Sequence, residues 1–253
     1  MPLPVKIILI ILLSVIGPAL AYILLLIISS LFVNPKKLYD HNSRYYRFLL
    51  HSSTAMAMFL VRIKIHVTGM EKLPEGRFLI VGNHRSKFDP IVTWHVLRHR
   101  DLAYISKGAN FSVPAYGRII RKCCFMDIDR ERAMGAIITV NHAADLLRAD
   151  EVSIGMYPEG TRNYGEGLLK FHNGMFLIAQ KAEVPVVIMS TYGTDMIKNN
   201  FPFRRSHVYL DIIDVIPAEQ VTGMRSNEIG DRAYSAILEN LKKYNTQEKG
   251  EDK

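Results

Sequence analysis

The residues best able to do chemistry fall in three polar clusters, each set at the end of a short apolar run. The first is Asn83-His84-Arg85-Ser86-Lys87-Phe88-Asp89-Pro90, just after Phe78-Leu79-Ile80-Val81-Gly82. An imidazole with an ordinary pKa of about 6.5 can take a proton from an alcohol at neutral pH, and a carboxylate can fix its tautomer and support the cation that forms. His84 and Asp89, five residues apart, make such a pair if the loop between them folds back. Each also has a plainer use. Asp before Pro at a helix start is an ordinary N-cap, and a single loop histidine can be structural.

The second cluster is Tyr157-Pro158-Glu159-Gly160-Thr161-Arg162, after the apolar run 152–156. Gly160 permits close approach of backbone to a ligand, and Arg162 offers a planar fork matched to a phosphate; a polar turn with a solvated arginine is the alternative. The third is Asp127-Ile128-Asp129-Arg130, where Arg130 ends a strand and could either meet an anion or form a surface ion pair.

These clusters need a scaffold, and the pattern supplies one. Short β-rich runs at 78–81, 102–106, 123–128, 152–157, 184–191 and 208–215 alternate with helical patterns opening at Asp89-Pro90 and covering 114–121, 132–148, 173–182 and 227–244. The last helix places Ile229, Ala233, Ile237 and Leu241 on one face. Such alternation predicts a single α/β sandwich domain with a largely parallel or mixed sheet, whose strand ends carry the three clusters. No internal repeat or low-complexity linker divides it, so residues 63–253 are read as one catalytic domain and 1–62 as membrane-anchoring helices.

The first part rests on residues 7–35, which hold no charged side chain. As a helix this stretch would run roughly 43 Å, longer than a hydrocarbon core of about 30 Å. Gly17-Pro18 in its middle predicts a kink or break. Ala19-Leu20-Ala21 resembles a signal-peptide cleavage site, but the apolar run continues beyond it. Lys36, Lys37, Arg44 and Arg47 follow the run, against Lys6 and the terminal amine before it, which puts the remainder of the chain in the cytoplasm by the positive-inside rule. Residues 43–62 then bring Tyr45, Phe48, Leu49, Ser52, Met56, Phe59 and Leu60 at spacings of three and four. That predicts an amphipathic helix, either packed on the domain or forming with the first a two-helix membrane anchor.

The net charge of +8 suits anionic lipid headgroups or an acidic carrier. Nucleic acid is not indicated, since no zinc-finger spacing, basic heptad region or basic stripe with interleaved aromatics is present. Cys123 and Cys124 are adjacent in an apolar run; they read as buried thiols in a reducing compartment, with no metal-binding spacing around them.

Taken together, the clusters resemble one family. Asn83-His84 with Asp89 matches the NHxxxxD signature of the 1-acyl-sn-glycerol-3-phosphate acyltransferases, and Glu159-Gly160-Thr161-Arg162 matches their EGTR signature. Ile128-Asp129-Arg130 is similar to the family's second block and Val184-Pro185-Val186-Val187 to its fourth. Tyr157 stands where the family usually has phenylalanine, and Ile188-Met189 replaces a further proline. The resemblance covers roughly residues 65–215.

It implies direct acyl transfer from acyl-CoA or acyl-acyl carrier protein, with no bound cofactor or metal, to the sn-2 hydroxyl of lysophosphatidate at a phospholipid bilayer. His84 would be the base and Asp89 its partner. Arg130 and Arg162 would hold the phosphate, with Glu159, Gly160 and Thr161 shaping the pocket, while Lys107 or the Gly160 amide would face the oxyanion. Another lysolipid acceptor, a membrane-anchored thioesterase or lipid hydrolase using the same pair on water, and a non-catalytic lipid-binding adaptor are the alternatives.

Overall fold

The computed structural model describes residues 2–128 and 133–251. In chain order the elements are α1 (Leu3–Leu31), α2 (Arg44–Leu60), β1 (Ile63–Thr68), β2 (Leu79–Val81), α3 (Asp89–Val96), β3 (Leu102–Ser106), α4 (Gly108–Phe111), α5 (Tyr116–Lys122), β4 (Met126–Asp127), α6 (Ala133–Arg148), β5 (Ser153–Met156), α7 (Leu177–Ala182), β6 (Val186–Tyr192), α8 (Ile197–Asn200), β7 (Ser206–Ile216), α9 (Ala218–Gly223) and α10 (Ser226–Glu251). The strands form one mixed sheet in the order β1-β7-β6-β2-β5-β3-β4.

Strands β2 to β6 all run the same way, and among the described residues only the β6/β7 pair is antiparallel. The ends of β2, β3, β4, β5 and β6 therefore lie along one edge of the sheet. β2 is fully buried at every residue, as expected of a short central strand covered on both faces. The stripe Ile229, Ala233, Ile237 and Leu241 of α10 is buried as the sequence predicts.

Three expectations are adjusted. The strand expected at 123–128 shrinks to Met126–Asp127, because Cys123 closes α5 and Cys124 turns the chain at a φ of 62°. Both cysteines are free and buried, and burial pushes their thiols up to about 12. β1 goes unforeseen: its polar Lys64, His66 and Thr68 and its edge position dilute the apolar signal. Of the kink or break expected at Gly17-Pro18, the break does not occur, and α1 continues through Pro18. Proline there removes a backbone hydrogen bond and crowds the carbonyl four residues back, but the turns on either side continue the helix.

α1 is long and apolar enough to cross a bilayer, and most of its large side chains are exposed. Its last turns meet α2 in antiparallel fashion. Tyr22 Oη donates to the Leu49 carbonyl at 3.1 Å and lies 2.6 Å from Ser52 Oγ, while Tyr46 Oη donates to the Ser29 carbonyl at 2.8 Å.

α2 packs on the domain along one face and leaves another exposed. Tyr46, Leu49, Leu50 and Met58 are buried, the first three in the same core as the sheet, whereas Tyr45, Phe48, Met56, Phe59 and Leu60 of the predicted stripe point outward. Arg47, counted above with the cations flanking α1, is instead buried. It donates to the Leu102 carbonyl at 2.9 Å, pairs with Asp101 at 3.2 Å and lies over the Trp94 ring, and desolvation holds its pKa below the ordinary arginine value.

Candidate active site

His84 follows β2 where the strand stops at Val81, and the loop after it turns back into α3. That return puts His84 Nδ1 2.8 Å from Asp89 Oδ2. Asp89 is fully buried, the imidazole partly exposed. The carboxylate does not serve as an ordinary N-cap of α3. Its Oδ2 accepts the backbone amides of Arg85 and Ser86 at 2.7 Å each, and its Oδ1 accepts the hydroxyls of Thr191, at 3.3 Å, and Thr194. These donors offset the desolvation of a buried charge. With Nδ1 bound to Asp89, Nε2 is the nitrogen left to meet a substrate.

Two neighbours of the pair hold this loop in place. Asn83, also fully buried, uses its side-chain amide as a strand residue would use its backbone: Nδ2 donates to the Thr191 carbonyl at 2.9 Å and Oδ1 accepts the Thr191 amide at 2.8 Å. It thus extends the β2/β6 pairing past the end of β2. Glu159, from the loop after β5, accepts the His84 amide on Oε1 at 2.7 Å and the Leu169 amide on Oε2 at 2.8 Å. Burial raises its carboxyl above the usual carboxylate range, opposed by the hydrogen bonds from Leu169 and His84. The Asn163 amide donates to the His84 carbonyl at 2.7 Å, so the loop of Glu159 grips both backbone groups of His84.

The face of the imidazole is set by an aromatic stack. The ring of His84 lies on that of Tyr157 and Tyr157 lies on Tyr104. Room for Tyr104 depends on Gly155, where a Cβ would lie 2.5 Å from Cε1 of the tyrosine. Burial raises both tyrosine hydroxyls above their ordinary value.

Of the other residues the sequence singles out, Arg130 lies outside the described residues. Gly160 takes a φ of 73°, open to glycine at little cost, and its amide donates to the Tyr157 carbonyl at 3.0 Å to close the turn. Lys107 is exposed, immediately after β3, and Thr161 is exposed as well. Arg162 is half-buried beside the Tyr164 ring, 5.6 Å from its centroid. Sequence reasoning missed Thr191 and Thr194 as partners of Asp89, and Arg85 as a strap reaching the Gly165 carbonyl at 2.9 Å and Asp195. Thr191 closes an apolar run and Thr194 follows it, but no local signal links either to Asp89; the pairing of β6 beside β2 brings them there.

Comparison with known proteins places this geometry in context. The chain is 27% identical over 195 residues to human 1-acyl-sn-glycerol-3-phosphate acyltransferase alpha, covering 76% of this chain and 69% of the human protein. It is 29% identical over 158 residues to the 1-acyl-sn-glycerol-3-phosphate acyltransferase of Haemophilus influenzae, covering 62% and 64%. In fold it is similar to the crystal structure of the 1-acyl-sn-glycerophosphate (LPA) acyltransferase PlsC from Thermotoga maritima, with a TM-score of 0.60, 21% identity, and 86% and 87% of the two chains covered. The sequence model of the acyltransferases matches residues 64–191, a range that includes His84, Asp89, Glu159 and Thr191, with Thr194 just beyond it. This chain belongs to the acyltransferase family.

Proposed function

We propose that the chain transfers a fatty acyl group from a thioester to the sn-2 hydroxyl of 1-acyl-sn-glycerol-3-phosphate, giving phosphatidate. The observation that carries this reading is the His84-Asp89 pair, with Nδ1 held at 2.8 Å by a fully buried carboxylate. Both the human and the Haemophilus influenzae relatives are named for this acceptor.

In the reaction, Nε2 of His84 takes the proton of the acceptor hydroxyl as its oxygen attacks the thioester carbonyl. Asp89 supports the imidazolium. The carbon–oxygen bond forms, the carbon–sulfur bond breaks, and the proton passes from His84 to the departing thiolate. Neither a serine nor a cysteine nucleophile is required. Lys107 faces the oxyanion, and Arg130 and Arg162 hold the phosphate, with Gly160 and Thr161 around it. Glu159 acts by holding His84 in place.

The donor is acyl-CoA or acyl-acyl carrier protein, each acidic and matched to the positive balance of the chain. The anchor is α1, and Lys36, Lys37 and Arg44 after it support a cytoplasmic position for the catalytic domain by the positive-inside rule.

The test is product analysis by mass spectrometry on the detergent-purified chain, given lysophosphatidate with each donor in turn and His84→Ala as control. Phosphatidate from the unaltered chain alone is expected, and the productive thioester identifies the donor. Free fatty acid released without acceptor would replace this reading with a hydrolase.

A further inference from the structure

The segment between β6 and β7 starts at the catalytic carboxylate and ends on an exposed aromatic turn. Thr194, which donates to Asp89, and Asp195, which pairs with Arg85, open it. α8 follows, pinned by the buried Ile197. The chain then turns outward through Phe201, Pro202, Phe203, Arg204 and Arg205, all exposed, Phe203 at 87%.

The turn is braced. The Phe201 amide donates to the Ile197 carbonyl at 3.1 Å and that of Arg204 to Asn200 at 2.7 Å. Arg62 Nη1 donates to the Phe203 carbonyl at 3.0 Å, which straps the turn to the end of α2, where Phe59 is 82% exposed and Leu60 61%. Because β1 starts opposite the start of β7 and β7 starts beside the end of β6, this patch lies on the same sheet edge as His84.

We propose that the 201–205 turn and the end of α2 form a second membrane contact, distinct from α1 and specific for an anionic lipid surface. A lone exposed phenylalanine carries little meaning, but exposed aromatic side chains from two elements, on a braced backbone and rimmed by arginines, have the composition of an interfacial anchor. Arg204 and Arg205 match negative headgroups. The patch also continues the outward apolar stripe of α2, which starts beside the anchor helix. Seated this way, the edge bearing His84 faces the leaflet. The inference rests on the membrane-bound reading of α1 and not on the acyl-transfer chemistry.

The experiment uses the full chain in lipid nanodiscs of phosphatidylcholine with or without phosphatidylglycerol, bearing an environment-sensitive fluorophore on Phe203→Cys. Cys123 and Cys124 are buried and stay unlabelled. Lys181→Cys, at the opposite sheet edge, is the control. Co-purification of chain and disc reports α1 insertion separately, so loss of the anchor is distinguishable from failure of the patch.

With phosphatidylglycerol present, the label at 203 is expected to shift to the blue and to be quenched by brominated acyl chains. The label at 181 should remain unquenched, and Arg204→Glu with Arg205→Glu should relieve the quenching at 203. Water-like, unquenched emission at 203 in both discs overturns the contact. Equal quenching in both discs, unmoved by charge reversal, overturns its anionic specificity. Protection from aqueous iodide without quenching by brominated lipid assigns the patch to a second copy of the chain instead.

Discussion

The imidazole of His84 lies against the ring of Tyr157 with centroids 4.4 Å apart and planes 18° from parallel. Together with the Asp89 contact, this fixes both the direction of Nδ1 and the rotation of the ring about it. In its proposed role as base toward a lipid hydroxyl, His84 gains from being held in one orientation before the substrate arrives.

Tyr157→Phe keeps the stacked ring and removes only the buried hydroxyl, so kcat is expected within about threefold of the unaltered chain. Tyr157→Leu keeps bulk but loses the aromatic face, and kcat should fall about tenfold with the acceptor KM little changed. Steady-state kinetics on the two variants check this. Equal activity in both would show that the stack has no part in positioning His84.

Glu159 gives a pH signature. Its carboxyl stands above the ordinary value of 4.5 because it is buried. A carboxyl raised in the folded state binds more protons there than in the unfolded chain, so the stability it confers is complete below about 4.5 and is lost as pH rises through the folded value. The difference in Tm between the unaltered chain and Glu159→Gln should favour the unaltered chain most near about pH 4 and shrink toward about pH 7. Thermal unfolding of both in detergent across that range measures it; a difference that does not change with pH would contradict the assignment.

The site was legible where its logic is local. His84 and Asp89 lie within one loop and helix start, where spacing makes them a candidate pair and the match to the NHxxxxD signature selects them. Ile229, Ala233, Ile237 and Leu241 repeat along one helix, where spacing alone finds them. Thr191 and Thr194 reach Asp89 only because β6 pairs beside β2 across more than a hundred residues of chain, and no local pattern carries that information. Arg47 shows the same limit. Its sequence neighbours suggest a surface cation, but its partners are Leu102, Cys123 and Asp101, brought to it by tertiary packing.

Asn83→Ala is expected to cost about 2–4 kcal/mol, because two buried backbone groups of Thr191 would lose their partners. Asn83→Asp should fare no better, since it removes the donor and sets a carboxylate against the Thr191 carbonyl. Denaturant unfolding of the intact chain reads both, and a loss below about 0.5 kcal/mol would mean that water replaces the amide.

The two arginines separate binding from chemistry. If they hold the acceptor phosphate, Arg130→Ala and Arg162→Ala should each raise the acceptor KM by about tenfold or more while kcat holds, because the phosphate is remote from the bond being made. An unchanged KM in both variants removes the phosphate role.

Thr194 tests whether the far side of Asp89 matters for the reaction or only for the fold. Thr194→Val preserves shape but withdraws a hydroxyl donor from Oδ1, which leaves Thr191 as the side-chain donor there. A carboxylate with one fewer donor is free to shift away from Nδ1, so kcat should drop about tenfold with both substrate KM values nearly unchanged. Thr194→Ser restores the hydroxyl and should restore kcat. The rescue discriminates, because a purely structural threonine would show its loss in Tm while leaving kcat intact in both variants.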